Sequence, residues 1–170
     1  MGWVMRKAVN LASVTQDLRS YTSPPEDNPS GAPVTHIDFD NNAAGMKGTT
    51  EKRTLDWKER PNSDYLFGDL VAKSRWNTLA GILKENKGKA GIEEDAKYLC
   101  EGWLPETAEG EVVESWNQNK ERGWTGWQIW GFATVEGERM LVRKFVVRKG
   151  EKAERIRLVY GWLKESKEAK

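Results

Sequence analysis

Hydrophobic and polar positions alternate most clearly between residues 123 and 163. This segment, GWTGWQIWGFATVEGERMLVRKFVVRKGEKAERIRLVYGWL, is rich in Trp, Phe, Val, Ile, Thr and Tyr, the residue types that favour β-strands. Only Glu136-Gly137 and residues 150–153 interrupt it. The pattern predicts three long antiparallel strands joined by two tight turns.

The two turns determine which side chains face each other. A two-residue turn at Glu136-Gly137 is the commonest hairpin connection, and it sets the pairing of the first two strands. The pairs that it predicts are Val135–Glu138, Phe132–Leu141, Trp130–Arg143 and Gln128–Phe145. A four-residue turn over residues 150–153 predicts the second set, Val147–Ile156, Phe145–Leu158, Arg143–Tyr160 and Leu141–Trp162.

Side chains alternate along a strand, so this register divides the sheet into two faces. One face is apolar and aromatic with three polar exceptions, Gln128, Arg143 and Tyr160, and we predict that it is the interior. The other face is predicted to be solvated, and it carries Lys144, Arg148, Arg155 and Arg157. A turn that differed by one residue would exchange the two faces.

An arginine at the centre of an aromatic wall requires an explanation, because a buried charge is costly unless it is paired. Ligand pockets have this composition, with apolar walls and a few convergent polar groups. Alternatively, Arg143 pairs with an internal carboxylate and stacks on Trp130 as a core cation. The sequence leaves both interpretations open.

The whole chain predicts about eight strands, with a helix before them and one short helix among them. Apolar residues recur near helical spacing at the start, which predicts a helix over residues 1–20 that covers Trp127 and Ile129. A proline-rich loop over 20–34, a β-barrel over 35–163 and a charged tail over 164–170 follow. Within the barrel we predict strands at 35–40, 52–57, 65–76, 97–104 and 111–118, a turn at 59–64, a helix at 77–86 and a polar connection at 87–95.

The strand predicted over residues 65–76 separates into two faces. One face carries Leu66, Leu70, Ser74 and Trp76, with the small residues Gly68 and Ala72 among them. Small side chains leave room for a ligand, although they also suit close packing of a helix. We therefore place Leu70, Ser74 and Trp76 in the candidate ligand wall.

A second candidate for chemistry is the pair His36 and Asp38, which share one face of a predicted strand. A carboxylate can orient a histidine for proton transfer near neutral pH. Polar alternation on a solvent-facing edge strand explains the same residues without any function, and we favour that interpretation.

Composition argues against several functional classes. A length of 170 residues predicts a single domain, and the net charge of +1 gives no electrostatic footprint for nucleic acid. One cysteine and one histidine argue against a disulfide framework and a Cys/His zinc site, and Cys100 fits a small buried residue better than a nucleophile. Nine tryptophans supply aromatic surface for packing or for a flat apolar ligand.

The sequence lacks the motifs of nucleotide, hydrolase and metal chemistry, such as phosphate-binding glycine loops, nucleophile elbows, His-Glu-x-x-His and Cys-x-x-Cys. We therefore expect no cofactor and no metal. The absence of a secretory signal and of a membrane-spanning segment predicts a cytoplasmic protein without membrane insertion. No feature of the sequence predicts an oligomeric state.

Three segments stand out together: LFGDLVAKSRW at 66–76, GWTGWQIWGF at 123–132 and RLVYGWL at 157–163. They resemble small lipocalin-like, calycin-type β-barrel proteins of fungal secondary metabolism. The resemblance implies an eight-stranded antiparallel barrel for an apolar ligand, sometimes adapted to cyclisation or isomerisation without a cofactor. The alternative is a cone-shaped α+β fold of the cyclase type, which has more helix before its sheet than this sequence predicts.

The first functional hypothesis is a cofactor-free, pericyclase-like cyclase or isomerase, or a lyase, acting on an apolar secondary-metabolite intermediate. Arg143 would polarise a substrate carbonyl, and Tyr160 and Gln128 would hydrogen-bond it. The side chains predicted to shape the hydrocarbon are Trp130, Phe132, Leu141, Phe145, Leu158 and Trp162. The alternative hypothesis is a non-catalytic carrier for a hydrophobic ligand, and the sequence does not separate the two.

Overall fold

The computed structural model describes residues 14–43, 46–64 and 68–163. The chain divides into two compact units, residues 1–56 and residues 57–170. Strands make up 58% of the structure, all the sheets are antiparallel, and three helices occur in the described ranges. The predicted mainly β, antiparallel class is confirmed, and the single domain stays a prediction.

The first unit contains a three-stranded sheet formed by β1 (Val14–Ser23), β2 (Val34–Ala43) and β3 (Met46–Thr54), with β2 in the centre. Alternation along β2 separates its two faces, as a pleated strand requires. Ile37 and Phe39 are buried at 5% and 1% exposure.

The helix predicted over residues 1–20 is wrong for residues 14–20, which belong to β1, and residues 1–13 lie outside the described ranges. The spacing of four residues that predicted a helix places side chains on one face of a strand as well as of a helix. Pairing with β2 decides between the two, and it places Leu18 opposite Phe39.

The second unit contains a six-stranded sheet in which each strand pairs with its neighbour in the chain. In spatial order the strands are β4 (Arg60–Asp64), β5 (Gly68–Thr78), β6 (Glu111–Asn119), β7 (Trp124–Val135), β8 (Glu138–Lys149) and β9 (Lys152–Tyr160). The connection from β5 to β6 contains α1 (Leu79–Asn86), α2 (Ile92–Cys100) and α3 (Pro105–Ala108). None of the helices in the described residues has the length and apolarity needed to cross a bilayer.

The closed barrel predicted for residues 35–163 is not found in the part of the chain that the structure describes. Neither sheet closes on itself, and the outer strands are β1 and β3 in one sheet and β4 and β9 in the other. Strand patterns predict that strands exist, but closure depends on pairing between the first and last strands, which no local pattern specifies.

Three predicted elements in the second unit are wrong in whole or in part. The turn predicted at 59–64 contains strand β4, and the predicted connection and strand between 87 and 104 contain α2. Ala96 and Leu99 of α2 are fully buried, as expected for one stripe of an amphipathic helix. The short apolar run that suggested a strand is the end of this helical stripe.

The helices cover one face of the six-stranded sheet, which we call the helix face. The core on this face joins side chains of α1 and α2 to the central strands: Leu79, Ile82, Ala96, Leu99, Val112, Trp127, Ile129 and Val146. This is the face predicted to be solvated, and that prediction is wrong for Lys144, which is 7% exposed. Helices α1 and α2 pack against Trp127 and Ile129.

Two cations on β8 hold α2 against the helix face. Lys144 donates from Nζ to the carbonyl oxygens of Tyr98 (3.0 Å) and Glu101 (2.7 Å) at the C-terminal end of α2, and burial lowers the pKa of Lys144. Arg148 donates to the carboxylate of Asp95 (2.8 and 2.6 Å) near the other end. Lys144 and Arg148 are four residues apart on β8, which is a distance of about 13 Å, and the nine residues of α2 span a similar length. The two cations therefore lie near the two ends of α2.

The turn between β7 and β8 is confirmed, and every pair predicted between these two strands is present. Glu136 and Gly137 have φ values of 51° and 83°. Two positive φ angles are typical of a type I′ turn, whose twist matches that of the flanking strands.

The turn between β8 and β9 has two residues, Gly150-Glu151, and not the predicted four. The positive φ of 59° at Gly150 fits a type II′ turn, which favours glycine at its first central position. Strand β9 is therefore shifted by two residues from the predicted register, and Leu158 instead of Tyr160 lies opposite Arg143. A shift of two keeps every side chain on its predicted face.

Glu136→Asn is expected to raise the free energy of unfolding by about 0.5–1 kcal/mol, because asparagine tolerates positive φ better than glutamate. Urea denaturation measures the change. Glu136→Gln is the matched control, since it removes the same charge without improving the backbone preference. Equal stabilities of the two variants would contradict the assigned turn.

Asp95→Asn is expected to lower the free energy of unfolding by about 2 kcal/mol, because the guanidinium of Arg148 loses a carboxylate that is 2% exposed. Lys97→Met is the control, since it breaks an exposed ion pair with Glu93 at 2.9 Å and is expected to cost less than about 0.5 kcal/mol. The anchoring of α2 is disproved if urea denaturation finds the two losses equal.

Candidate active site

The face of the six-stranded sheet opposite the helix face gathers the predicted site residues, and we call it the site face. The strand register arranges these residues in rows that cross β5 to β9. The first row is Trp76, Val113, Trp130, Arg143 and Leu158. The second row is Ser74, Ser115, Gln128, Phe145 and Ile156.

The remaining predicted residues continue this face, with one exception. Phe132, Leu141 and Tyr160 form a third row across β7, β8 and β9, and Leu70 lies on β5 two residues beyond Ala72. Trp162 follows the end of β9 and is 87% exposed, so the predicted pairing of Trp162 with Leu141 is wrong. The shorter second turn accounts for this difference.

A buried polar cluster lies at the centre of the site face. The side-chain oxygen of Gln128 accepts hydrogen bonds from Trp130 Nε1 (2.7 Å), Arg143 Nη2 (2.9 Å) and Arg143 Nε (3.3 Å). Gln128 is 1% exposed and Arg143 is 5% exposed. Gln128 and Arg143 are diagonal neighbours on adjacent strands, which is within reach of long side chains.

The guanidinium of Arg143 is surrounded by aromatic side chains. Its central carbon lies 4.8 Å from the ring centroid of Trp130 and 5.2 Å from that of Phe145. Such contacts attract a cation through the negative face of the ring, and they are stronger where water is excluded. Arg143 thus combines a fixed positive charge with an apolar aromatic setting, which is the geometry predicted from the sequence.

The second row begins with a pair of buried hydroxyl groups. Ser74 Oγ lies 2.8 Å from Ser115 Oγ, and Ser115 Oγ also lies 3.4 Å from the carbonyl oxygen of Lys73. Ser74 and Ser115 are 2% and 0% exposed. Together with Gln128 they form a polar line across β5, β6 and β7.

Exposure on the site face increases towards β9. Trp130 on β7 is 7% exposed, whereas Ile156 and Leu158 on β9 are 43% and 41% exposed. Phe145 on β8, between them, is partly exposed. An apolar surface that a small molecule can reach therefore adjoins the buried guanidinium.

Sequence reasoning left out three residues of these rows, Val113, Ser115 and Ile156. Strand β6 contains the strand predicted at residues 111–118, and residues two apart on a strand share a face, so the prediction already implied that Val113 and Ser115 lie on one face. The missing information was that β6 lies between β5 and β7. This neighbourhood depends on pairing between distant segments, which residue patterns do not contain.

His36 lies in the first unit, on β2. Its Nε2 is 2.8 Å from Ser23 Oγ and its Nδ1 is 3.1 Å from Thr54 Oγ1, and its ring stacks on Tyr21 with 5.0 Å between centroids. Both ring nitrogens thus face hydroxyl groups and not the carboxylate of Asp38, which does not fit the proton relay considered for this pair.

Two other reactive side chains have structural surroundings. The carboxylate of Glu114 is 2% exposed and accepts hydrogen bonds from Trp127 Nε1, Arg75 Nε and Asn77 Nδ2, at 3.0, 2.6 and 2.9 Å. Burial raises the pKa of Cys100 to about 12, so its thiol is protonated at neutral pH. These environments suit core residues better than a nucleophile or a proton donor.

Comparison with known proteins finds two relatives that span nearly the whole chain. Pericyclase pydY from an Acremonium species is 30% identical over 163 residues, which cover 96% of this chain and 79% of that protein. Probable pericyclase scpY from Mollisia scopiformis is 28% identical over 162 residues, which cover 95% of this chain and 76% of that protein. No family model and no solved structure matches the chain.

The names of these relatives agree with the pericyclase-like activity expected from the sequence, while the lipocalin-like assignment stays a prediction. The identity extends over most of both chains, so it includes all the strands that carry the site face. The chain therefore belongs to the family of the Acremonium pericyclase.

Proposed function

We propose that this chain is a cofactor-free pericyclase that closes a ring in an apolar secondary-metabolite intermediate on the site face. The observation that carries the proposal is the buried guanidinium of Arg143 between the rings of Trp130 and Phe145. Membership of the family of the Acremonium pericyclase supports it.

Pericyclic ring closure suits a site of this composition. Electrons move around a cyclic array of bonds within one molecule, π bonds become σ bonds, and no proton or redox equivalent leaves or enters. A protein can accelerate such a reaction by holding a flexible chain in its reactive shape. It can also aim a fixed positive charge at an oxygen whose negative charge grows in the transition state.

Arg143 is the group that we assign to that oxygen. When a cation approaches the oxygen of a carbonyl that is conjugated with the reacting alkene, it withdraws electron density from that alkene. This lowers the barrier to ring closure. Few water molecules reach a side chain that is 5% exposed, so the charge of Arg143 is weakly screened.

The apolar residues of the site face would hold the hydrocarbon. Phe132, Leu141 and Phe145 are partly exposed and line β7 and β8 beside Arg143, and Leu158 extends the surface onto β9. Tyr160 is the second donor candidate, because it lies on the same face one row beyond Leu158. Leu70, Ser74 and Trp76 would bound the opposite side of the ligand wall on β5.

Arg143→Met is expected to lower kcat about 100-fold or more, the usual effect of removing one preorganised electrostatic group. The probe is a linear trienone in which a diene is tethered to an α,β-unsaturated ketone, and chiral chromatography follows the cyclised isomer. Arg157→Met is the matched control, because Arg157 is an exposed arginine on the helix-face side of β9. Full turnover by a folded Arg143→Met variant would remove Arg143 from the mechanism.

Binding and turnover of the same trienone distinguish an enzyme from a carrier. We expect tryptophan fluorescence to change on titration and the cyclised isomer to form faster than in buffer, with an altered ratio of stereoisomers. A fluorescence change with only the uncatalysed rate and ratio would support the carrier instead. Circular dichroism of each variant checks that the sheet is intact.

A further inference from the structure

We infer that Gln128 is a positioning residue, whose side-chain carbonyl fixes Arg143 and Trp130 in the geometry that the reaction needs. This inference rests on the proposed function. Gln128 was expected to hydrogen-bond the substrate directly, and the structure assigns its oxygen a different role.

The orientation of the Gln128 amide follows from its partners. Trp130 Nε1, Arg143 Nε and Arg143 Nη2 are all donors, and they converge on one atom at 2.7, 3.3 and 2.9 Å. Indole and guanidinium groups cannot accept hydrogen bonds through these nitrogens, so the shared atom is the oxygen and not the amide nitrogen. Three donors occupy the acceptor capacity of this oxygen, which leaves little for a substrate.

Two contacts to one oxygen fix the plane of the guanidinium as well as its position. Arg143 donates to it through both Nε and Nη2, and the ring of Trp130 is held by the same atom through its indole nitrogen. The ring and the cation that lies 4.8 Å from its centroid therefore share one anchor. Movement of Gln128 would displace both at once.

The side chain of Gln128 carries no charge, and this affects the field of Arg143. A glutamate at this position would hold Arg143 with a similar fork but would add a negative charge beside the guanidinium. The field of the guanidinium at a substrate oxygen would then be partly cancelled. Gln128 provides the geometry of a carboxylate partner without adding its charge.

A double-mutant cycle on kcat tests the inference, with the trienone as the probe and the full chain as the enzyme. We expect Gln128→Leu to lower kcat at least tenfold with a smaller change in KM. In the Arg143→Lys background, where the fork is already lost, Gln128→Leu is expected to lower kcat by a smaller factor than in the unmodified chain, because only the anchor of Trp130 remains to be lost. A separate structural role would instead multiply the two losses, and that result would overturn the inference.

Gln128→Glu provides a second test. Unlike Gln128→Leu, this substitution keeps the size of the side chain and its hydrogen-bond acceptor. We expect its melting temperature to stay at or above that of the unmodified chain, while kcat falls at least fivefold because the added carboxylate offsets the charge of Arg143. A Gln128→Glu variant with full kcat would contradict the inference. No acceleration of trienone cyclisation by the unmodified chain would defeat the proposed function itself, whereas loss of kcat in Arg143→Met with full kcat in Gln128→Leu would defeat only the role of Gln128.

Discussion

The pairing of β7 with β8 is the constraint on which the six-stranded sheet and its site depend. A type I′ turn at Glu136-Gly137 fixes this pairing, and it sets Trp130 opposite Arg143 and Gln128 diagonal to Arg143. A slip of one residue would turn Arg143 towards α1 and α2 and would bring Lys144 to the site face. The local preference of two turn residues thus decides which cation meets the aromatic rings.

Arg143 and Lys144 are consecutive residues that illustrate two ways of burying a positive charge. Lys144 is satisfied by the carbonyl oxygens at the end of α2, where the helix dipole is negative. Arg143 donates two hydrogen bonds to an uncharged amide and lies among rings. The first arrangement anchors a helix, and the second presents a charge to an apolar surface.

The sequence predicted the parts of this fold that are local. Alternation and turn chemistry correctly gave the register of β7 with β8 and the face of every predicted residue on β5, β7, β8 and β9. The four-residue turn over 150–153 was wrong, because Lys152 and Ala153 suit a strand as well as a loop, and only pairing with β8 decides. Helix α2 was missed because its apolar stripe ends in a short run that also resembles a strand.

The sequence did not predict how distant segments of the chain are arranged. Ser115 could be placed on a strand but not beside Ser74 and Gln128, since those contacts join residues from different parts of the chain. Closure of a barrel and the helices over Trp127 depend on the same non-local information. The residues of the candidate site could be predicted on each hairpin separately. The order of the strands that brings them together could not.

The length of the turn after β8 has a consequence for how this family can diversify. A four-residue turn over 150–153, formed at unchanged chain length, would slide β9 so that Tyr160 reaches the place opposite Arg143 now held by Leu158, with the guanidinium and its amide anchor unmoved. A change of the turn by two residues would thus exchange the β9 side chain beside Arg143 while the contacts between Arg143 and Gln128 are kept. Substitutions in the turn alone can therefore alter which side chain of β9 meets Arg143, without changing a residue of β7 or β8.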